Sequence, residues 1–151
     1  MNLEILINND IKSAMLNKDK DKLNALRAIK AALLLEKTGK DTSAREIPES
    51  FELKLLQKLV KQRSEAAAIY REKGRTELAE EEEYQAKIIQ AYLPEQMDEK
   101  EVESVVQQII KEVGATSMKD MGRVMGMATK QLAGKADNRF VSKVIRDLLS
   151  N

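Results

Sequence analysis

Apolar residues recur at helical spacing along almost the whole of this chain, and only six glycines and two prolines interrupt them. No run alternates apolar and polar between hairpin-type turns, so strands are not expected. The expected fold class is therefore all-α. Leu3, Ile7, Ile11 and Met15 follow one another at i+4 steps over 2–17. A polar join, Lys18 to Asp21, leads to a second helix with Leu23, Leu26, Ile29, Leu33 and Leu34. Gly39 stands where a residue just past a helix C-terminus should, and 39–47 reads as a loop. Pro48 suits the first position of a long helix running to Lys73. That helix carries Phe51, Leu55, Leu59, Ala66 and Ile69 on one side and Leu53, Leu56 and Val60 on the other, so its first half is expected to be covered on two faces. Gly74 ends it, and Thr76 can cap the next helix, whose stripe is Leu78, Gln85, Ile89 and Tyr92. So short a join implies an antiparallel pair.

Tyr92-Leu93-Pro94-Glu95-Gln96-Met97 is the best boundary, because proline drives the residue before it out of the helical region. The expected organisation is an N-terminal helix-hairpin domain over 1–93 and a C-terminal three-helix bundle over 94–151. Asp98 with Glu101 restarts the chain as a helix. Val102, Val105, Val106, Ile109, Ile110 and Val113 then share about a 140° arc at ~100° per residue, up to Gly114. The second helix, capped by Thr116 or Ser117, buries Met121, Val124, Met125, Ala128 and Leu132 and stops at Gly134; the third, capped by Asp137, buries Val141, Val144, Ile145 and Leu148.

Composition narrows the chemistry. With no cysteine and no histidine, the chain cannot build a disulfide, a thiol nucleophile, a zinc ribbon, a Ser-His-Asp triad or an HExxH site. No catalytic group, metal site or cofactor is indicated, and acid–base work near neutral pH would fall to a strongly shifted carboxylate or lysine. The 42% hydrophobic and 34% charged content fits a folded globular chain, and no apolar run approaches the ~18 residues of a membrane span. The start, Met1-Asn2-Leu3-Glu4, lacks the basic segment and apolar core of a secretory signal, so the cytoplasm is the expected compartment.

The net charge of +1 hides a division: residues 1–75 carry +5, 76–112 carry −8, and 113–151 carry +4. The basic end is organised. Arg139, Lys143 and Arg146 fall at i, i+4, i+7, almost opposite the apolar stripe of the last helix. Lys119, Arg123 and Lys130 repeat the arrangement on the helix before, and Lys135 sits in the turn between them. Seven outward cations on successive helices form a surface that can replace the counterions of a nucleic-acid backbone; the plain alternative is a face kept charged for solubility. Phe140 is the one aromatic nearby and flanks the apolar side, so base stacking is not indicated.

Gly122 and Gly126 make a GxxxG inside a helix, where each glycine costs ~1 kcal/mol against alanine, so something is expected to approach closely. Another helix of the same domain is the first expectation; a nucleic-acid backbone or a partner protein, aided by Met121, Met125 and Met127, is the alternative. Gly134-Lys135-Ala136-Asp137 lacks the spacing of a nucleotide-binding loop. Glu80 to Glu83 point to successive faces of a helix and do not converge on a metal, and Tyr70, Tyr84 and Tyr92 read as core edges.

Two segments add a resemblance. Tyr92 to Met97, and the stretch from Glu112 through D-M-G-R-V-M-G (120–126) to Gly134-Lys135-Ala136-Asp137, are similar to the GatB/YqeY family, and the likeness runs over essentially the whole chain. The second segment also resembles the tail domain of the B subunit of glutamine-dependent Asp-tRNA/Glu-tRNA amidotransferase. The resemblance implies a helical N-terminal domain before a three-helix tail. It also implies a tail that faces tRNA, with Lys119, Arg123, Lys135 and Arg139 on or near that side, and amidotransferase subunits or a tRNA synthetase as possible protein partners. Family labels of carbon–nitrogen ligase with glutamine as amide donor would then reflect association, since no amidase nucleophile or phosphate cradle is present. The chain departs from the family at Gln131 and Ala133, where lysines are frequent, and at Asn138, where glycine is frequent. A protein–protein adaptor built on the Gly122–Met127 surface is the alternative function.

Overall fold

Caps and turn residues set where the helices begin and end. In a computed structural model, which describes residues 2–39 and 47–150, the described residues form seven α-helices and no strand. They are α1 (Leu3–Leu16), α2 (Lys20–Gly39), α3 (Glu49–Glu72), α4 (Thr76–Gln90), α5 (Glu99–Val113), α6 (Met121–Gln131) and α7 (Asn138–Ser150), with a 3₁₀ turn at Met118–Asp120 before α6. The chain divides into two compact units, Met1–Leu93 and Pro94–Asn151. The loop expected over 39–47 falls mostly outside the described residues; Gly39 itself is the last residue of α2.

In the first unit α1 and α2 form one hairpin and α3 and α4 another. Lys18 takes the left-handed conformation between α1 and α2 (φ 56°), and the Lys22 amide donates to Asp19 Oδ1 at 3.2 Å. Lys37 pairs with Glu4 across the hairpin. Gly74, at φ 74°, turns α3 into α4. Arg63 Nε donates to Gln85 Oε1 at 3.1 Å and Arg71 pairs with Glu83, which sets the antiparallel register. Leu3, Ile7, Ala14, Ala25, Leu26, Ile29, Leu33, Leu56 and Ile89 form the core. Two tethers reach α1 from outside its hairpin: buried Glu52 accepts from the Leu3 amide at 2.9 Å, at the positive end of the helix, and the Tyr92 hydroxyl donates to Asp10.

Several side chains depart from the sequence expectation. Met15 is 55% exposed and Ala14 is buried in its place. The reason is drift: each i+4 step advances about 40° around a helix, so three steps carry Met15 off the stripe, while Ala14 returns to it. Phe51 and Ile69 are half exposed, whereas Leu56 and Ala67 are buried. In its first half Leu55 and Leu59 from one expected face and Leu56 and Val60 from the other pack against the core, so that half is covered from both faces, centred on the strip between them. Tyr84 is likewise exposed, while Tyr70 and Tyr92 are partly buried. Pro48 precedes α3 as its N-cap rather than opening it, and Arg75, not Thr76, is the N-cap of α4.

The second unit packs α5, α6 and α7 around Val102, Val106, Ile109, Val124, Ala128, Leu132, Ala136, Val141, Val144, Ile145 and Leu149. Leu149 is the fully seated residue of the last turn, and Leu148 is partly buried against the same cluster. Asp98 caps α5 by accepting from the Glu101 amide at 2.8 Å, and Gly114 ends it in the left-handed region at φ 66°.

Candidate nucleic-acid interface

The expected cations sit on the surface of the second unit. Lys119, Arg123, Lys130, Arg139, Lys143 and Arg146 are exposed and Lys135 is partly exposed. The α7 stripe follows from its pattern: with Val141, Val144, Ile145 and Leu149 buried, the positions of Arg139, Lys143 and Arg146 turn outward together. Arg123 and Lys130 lie opposite Val124 and Ala128 in the same way on α6. Lys119 differs, because it belongs to the 3₁₀ turn and not to α6. Ser117 and Asp120 form a capping box there: the Lys119 amide donates to Ser117 Oγ at 3.4 Å, and Asp120 Oδ2 accepts from the amides of Thr116 (2.9 Å) and Ser117 (3.4 Å).

Asp120 also holds a cation. Arg123 Nη2 donates to Asp120 Oδ1 at 3.1 Å on the surface. The Thr116 amide foremost, then the Ser117 amide and Arg123, hold the Asp120 carboxyl below the ordinary aspartate value. Of the seven cations, Arg123 thus has a carboxylate partner next to it, and sequence spacing gave that no weight. The signal was present, since Ser117-x-x-Asp120 is a capping-box spacing.

The glycines overturn the first expectation made for them. Gly122 and Gly126 are exposed, and a Cβ placed on either would meet nothing within 4 Å. Among the described residues, no other helix of this unit approaches them. The cause is angular: they lie on the side of α6 that carries Arg123 and Lys130, away from Val124 and Ala128. Met121, Met125 and Met127 pack instead against the core. The open strip on α6 is therefore bare backbone between cations, not a methionine patch. Phe140 packs against the same core, which leaves the cationic side of α7 without an aromatic ring.

A polar contact across the unit was not legible beforehand. Gln96 Nε2 donates to the carbonyl of Gly134 at 2.6 Å and to that of Pro94 at 2.8 Å, and the Met97 amide donates to the carbonyl of Lys135 at 2.9 Å. Gly134 is buried and left-handed (φ 73°), and Asp137 caps α7 by accepting from the Arg139 amide at 2.9 Å. The proline segment and the G-K-A-D turn, 38 residues apart in the chain, are thus one structural element. Elsewhere, among the described residues, no helix is long and apolar enough to cross a membrane, and no cluster of three acidic, histidine or cysteine side chains is arranged to hold a metal.

Comparison with known proteins places these features in a family. Residues 5–149 match the family described as Yqey-like protein. The chain is 31% identical over 144 residues to altered inheritance of mitochondria protein 41, mitochondrial, of Pyrenophora tritici-repentis, covering 93% of this chain and 77% of that protein. It is 34% identical over 104 residues to the E subunit of glutamyl-tRNA(Gln) amidotransferase of Thermococcus gammatolerans, covering 66% of this chain but only 16% of that much longer protein. With nearly its whole length matched, the chain belongs to the Yqey-like protein family.

Proposed function

We propose that this protein is a tRNA-binding accessory factor related to the glutamine-dependent tRNA amidotransferases, with no amide-transfer site of its own. The observation that carries this reading is the outward presentation of Lys119, Arg123, Lys130, Lys135, Arg139, Lys143 and Arg146 on the second unit, with Gly122 and Gly126 bare on the side of α6 that carries Arg123 and Lys130. Cations so exposed exchange with the counterions of a phosphate backbone, and a helix face without side chains lets that backbone come close. The absence of an aromatic platform on this side favours folded RNA recognised by shape and phosphates over splayed single-stranded bases. A relative matched over 104 residues is named for a tRNA amidotransferase, which supports tRNA as the RNA and amidotransferase subunits or a tRNA synthetase as neighbours.

The adaptor reading of the Gly122–Met127 surface loses its apolar component, since the methionines there turn to the core. Titration with total tRNA at two salt concentrations tests the proposal. Wild-type affinity should fall as salt rises, and the triple variant Arg123→Glu, Lys135→Glu, Arg139→Glu should bind about tenfold or more weakly, with a salt slope shallower by about one per lost phosphate contact. Equal binding by wild type and triple variant would remove the proposal.

A further inference from the structure

Lys135 lies in the turn between α6 and α7, outside both helices, so nothing in helical periodicity fixes where it stands. Its main chain is held instead from two directions. The Lys135 amide donates to the Leu132 carbonyl at 2.9 Å, and its own carbonyl accepts from the Met97 amide at 2.9 Å. The residue before it, Gly134, is buried and left-handed, and its carbonyl accepts from Gln96 Nε2 at 2.6 Å. The same carboxamide nitrogen reaches the Pro94 carbonyl at 2.8 Å, so one side chain spans the two strands of chain that meet at this turn. A primary amide has the two donor hydrogens this requires, and a carboxylate has none. Gln96 is itself at the surface, so its side chain is not needed to fill the core.

We propose that Gln96 is a positioning residue for the anion-binding face: by donating to the Gly134 carbonyl it holds the α6–α7 turn in the conformation that sets Lys135 against a phosphate. This rests on the RNA reading above and deepens it, since it makes the proline segment part of the binding device and not only a connector. Removing the donor leaves Lys135 in the chain but lets its turn wander, so the ordered phosphate contact is lost while the charge stays.

The test uses the full chain with Gln96→Met, which keeps the length and removes both donors, and Gln96→Glu, which places a carboxylate between two carbonyls. Folding is monitored by circular dichroism, and exchange of the Met97 amide is followed without RNA. Binding to total tRNA is then measured across a salt series, alone and combined with Lys135→Met. The expected result is faster Met97 exchange in both variants and a salt slope shallower by about one in Gln96→Met, with no further change when Lys135→Met is added. A merely structural loss lowers the amount of competent protein and leaves the slope where it was. Wild-type slope in both Gln96 variants, an equal slope change in the Lys135→Met background, or unaltered Met97 exchange would each overturn the proposal. Absence of salt-dependent tRNA binding by the wild-type chain would instead overturn the RNA reading on which it rests.

Discussion

Gly126 and Gly114 both have open space where a Cβ would stand, yet they answer to different constraints. Gly126 lies inside α6, where alanine would lower the conformational freedom lost on folding. Gly114 sits at φ 66°, where any Cβ crowds the backbone. Urea unfolding should therefore find Gly126→Ala more stable than wild type by about 0.5–1 kcal/mol and Gly114→Ala less stable by about 1–2 kcal/mol. If a phosphate backbone lies along α6, a larger group at 126 obstructs it without harming the fold. Gly126→Leu should then keep its helical signal and bind tRNA more weakly; unchanged affinity would mean that no ligand approaches this strip. That pair of outcomes separates the glycines as a binding feature from the glycines as tolerated helix defects.

Among the elements, the 3₁₀ turn before α6 carries the clearest pH dependence. Its Asp120 carboxyl is held below the ordinary aspartate value by the Thr116 amide first, then by the Ser117 amide and Arg123. A carboxylate whose folded value is depressed adds stability that is fully present above its unfolded value and is lost as pH falls through the folded one. The turn should hold at neutral pH and loosen only in the acid range, with Asp120→Asn flattening that dependence in thermal melts recorded from neutral pH downward. The same substitution removes the negative partner of Arg123, so tRNA should bind Asp120→Asn more tightly than wild type at low salt; unchanged binding would place Arg123 outside the interface. Helix positions and most core residues of this unit follow from periodicity, because valine and isoleucine at 102, 106, 109, 141, 144 and 145 leave one face to bury. The side of α6 that stays open was not legible in this way. A GxxxG spacing reads alike whether a helix of the same chain or a foreign backbone is to lie on it.

At the scale of the molecule, the described residues bury two separate apolar clusters, one built from Leu3, Leu26, Leu56 and Ile89 and the other from Val106, Val124, Val141 and Ile145. A fragment of residues 94–151 is then expected to fold alone, since units of about this size often do, and to keep most of the tRNA affinity. Circular dichroism and a cooperative urea transition on the fragment check this; an unfolded fragment would mean that the second unit depends on the first. By itself the sequence determined the helices, the caps at Asp98 and Asp137, the left-handed turns at Gly74, Gly114 and Gly134, and the outward cations of α6 and α7, because each depends on spacing within a few residues of chain. Only the tertiary structure decided that the burial of α3 centres on the strip between its two apolar faces, that Gly122 and Gly126 stay bare, and that Gln96 grips the turn of Lys135. Those outcomes depend on which surfaces meet after the helices pack, and contacts between groups tens of residues apart leave no periodic trace in the chain.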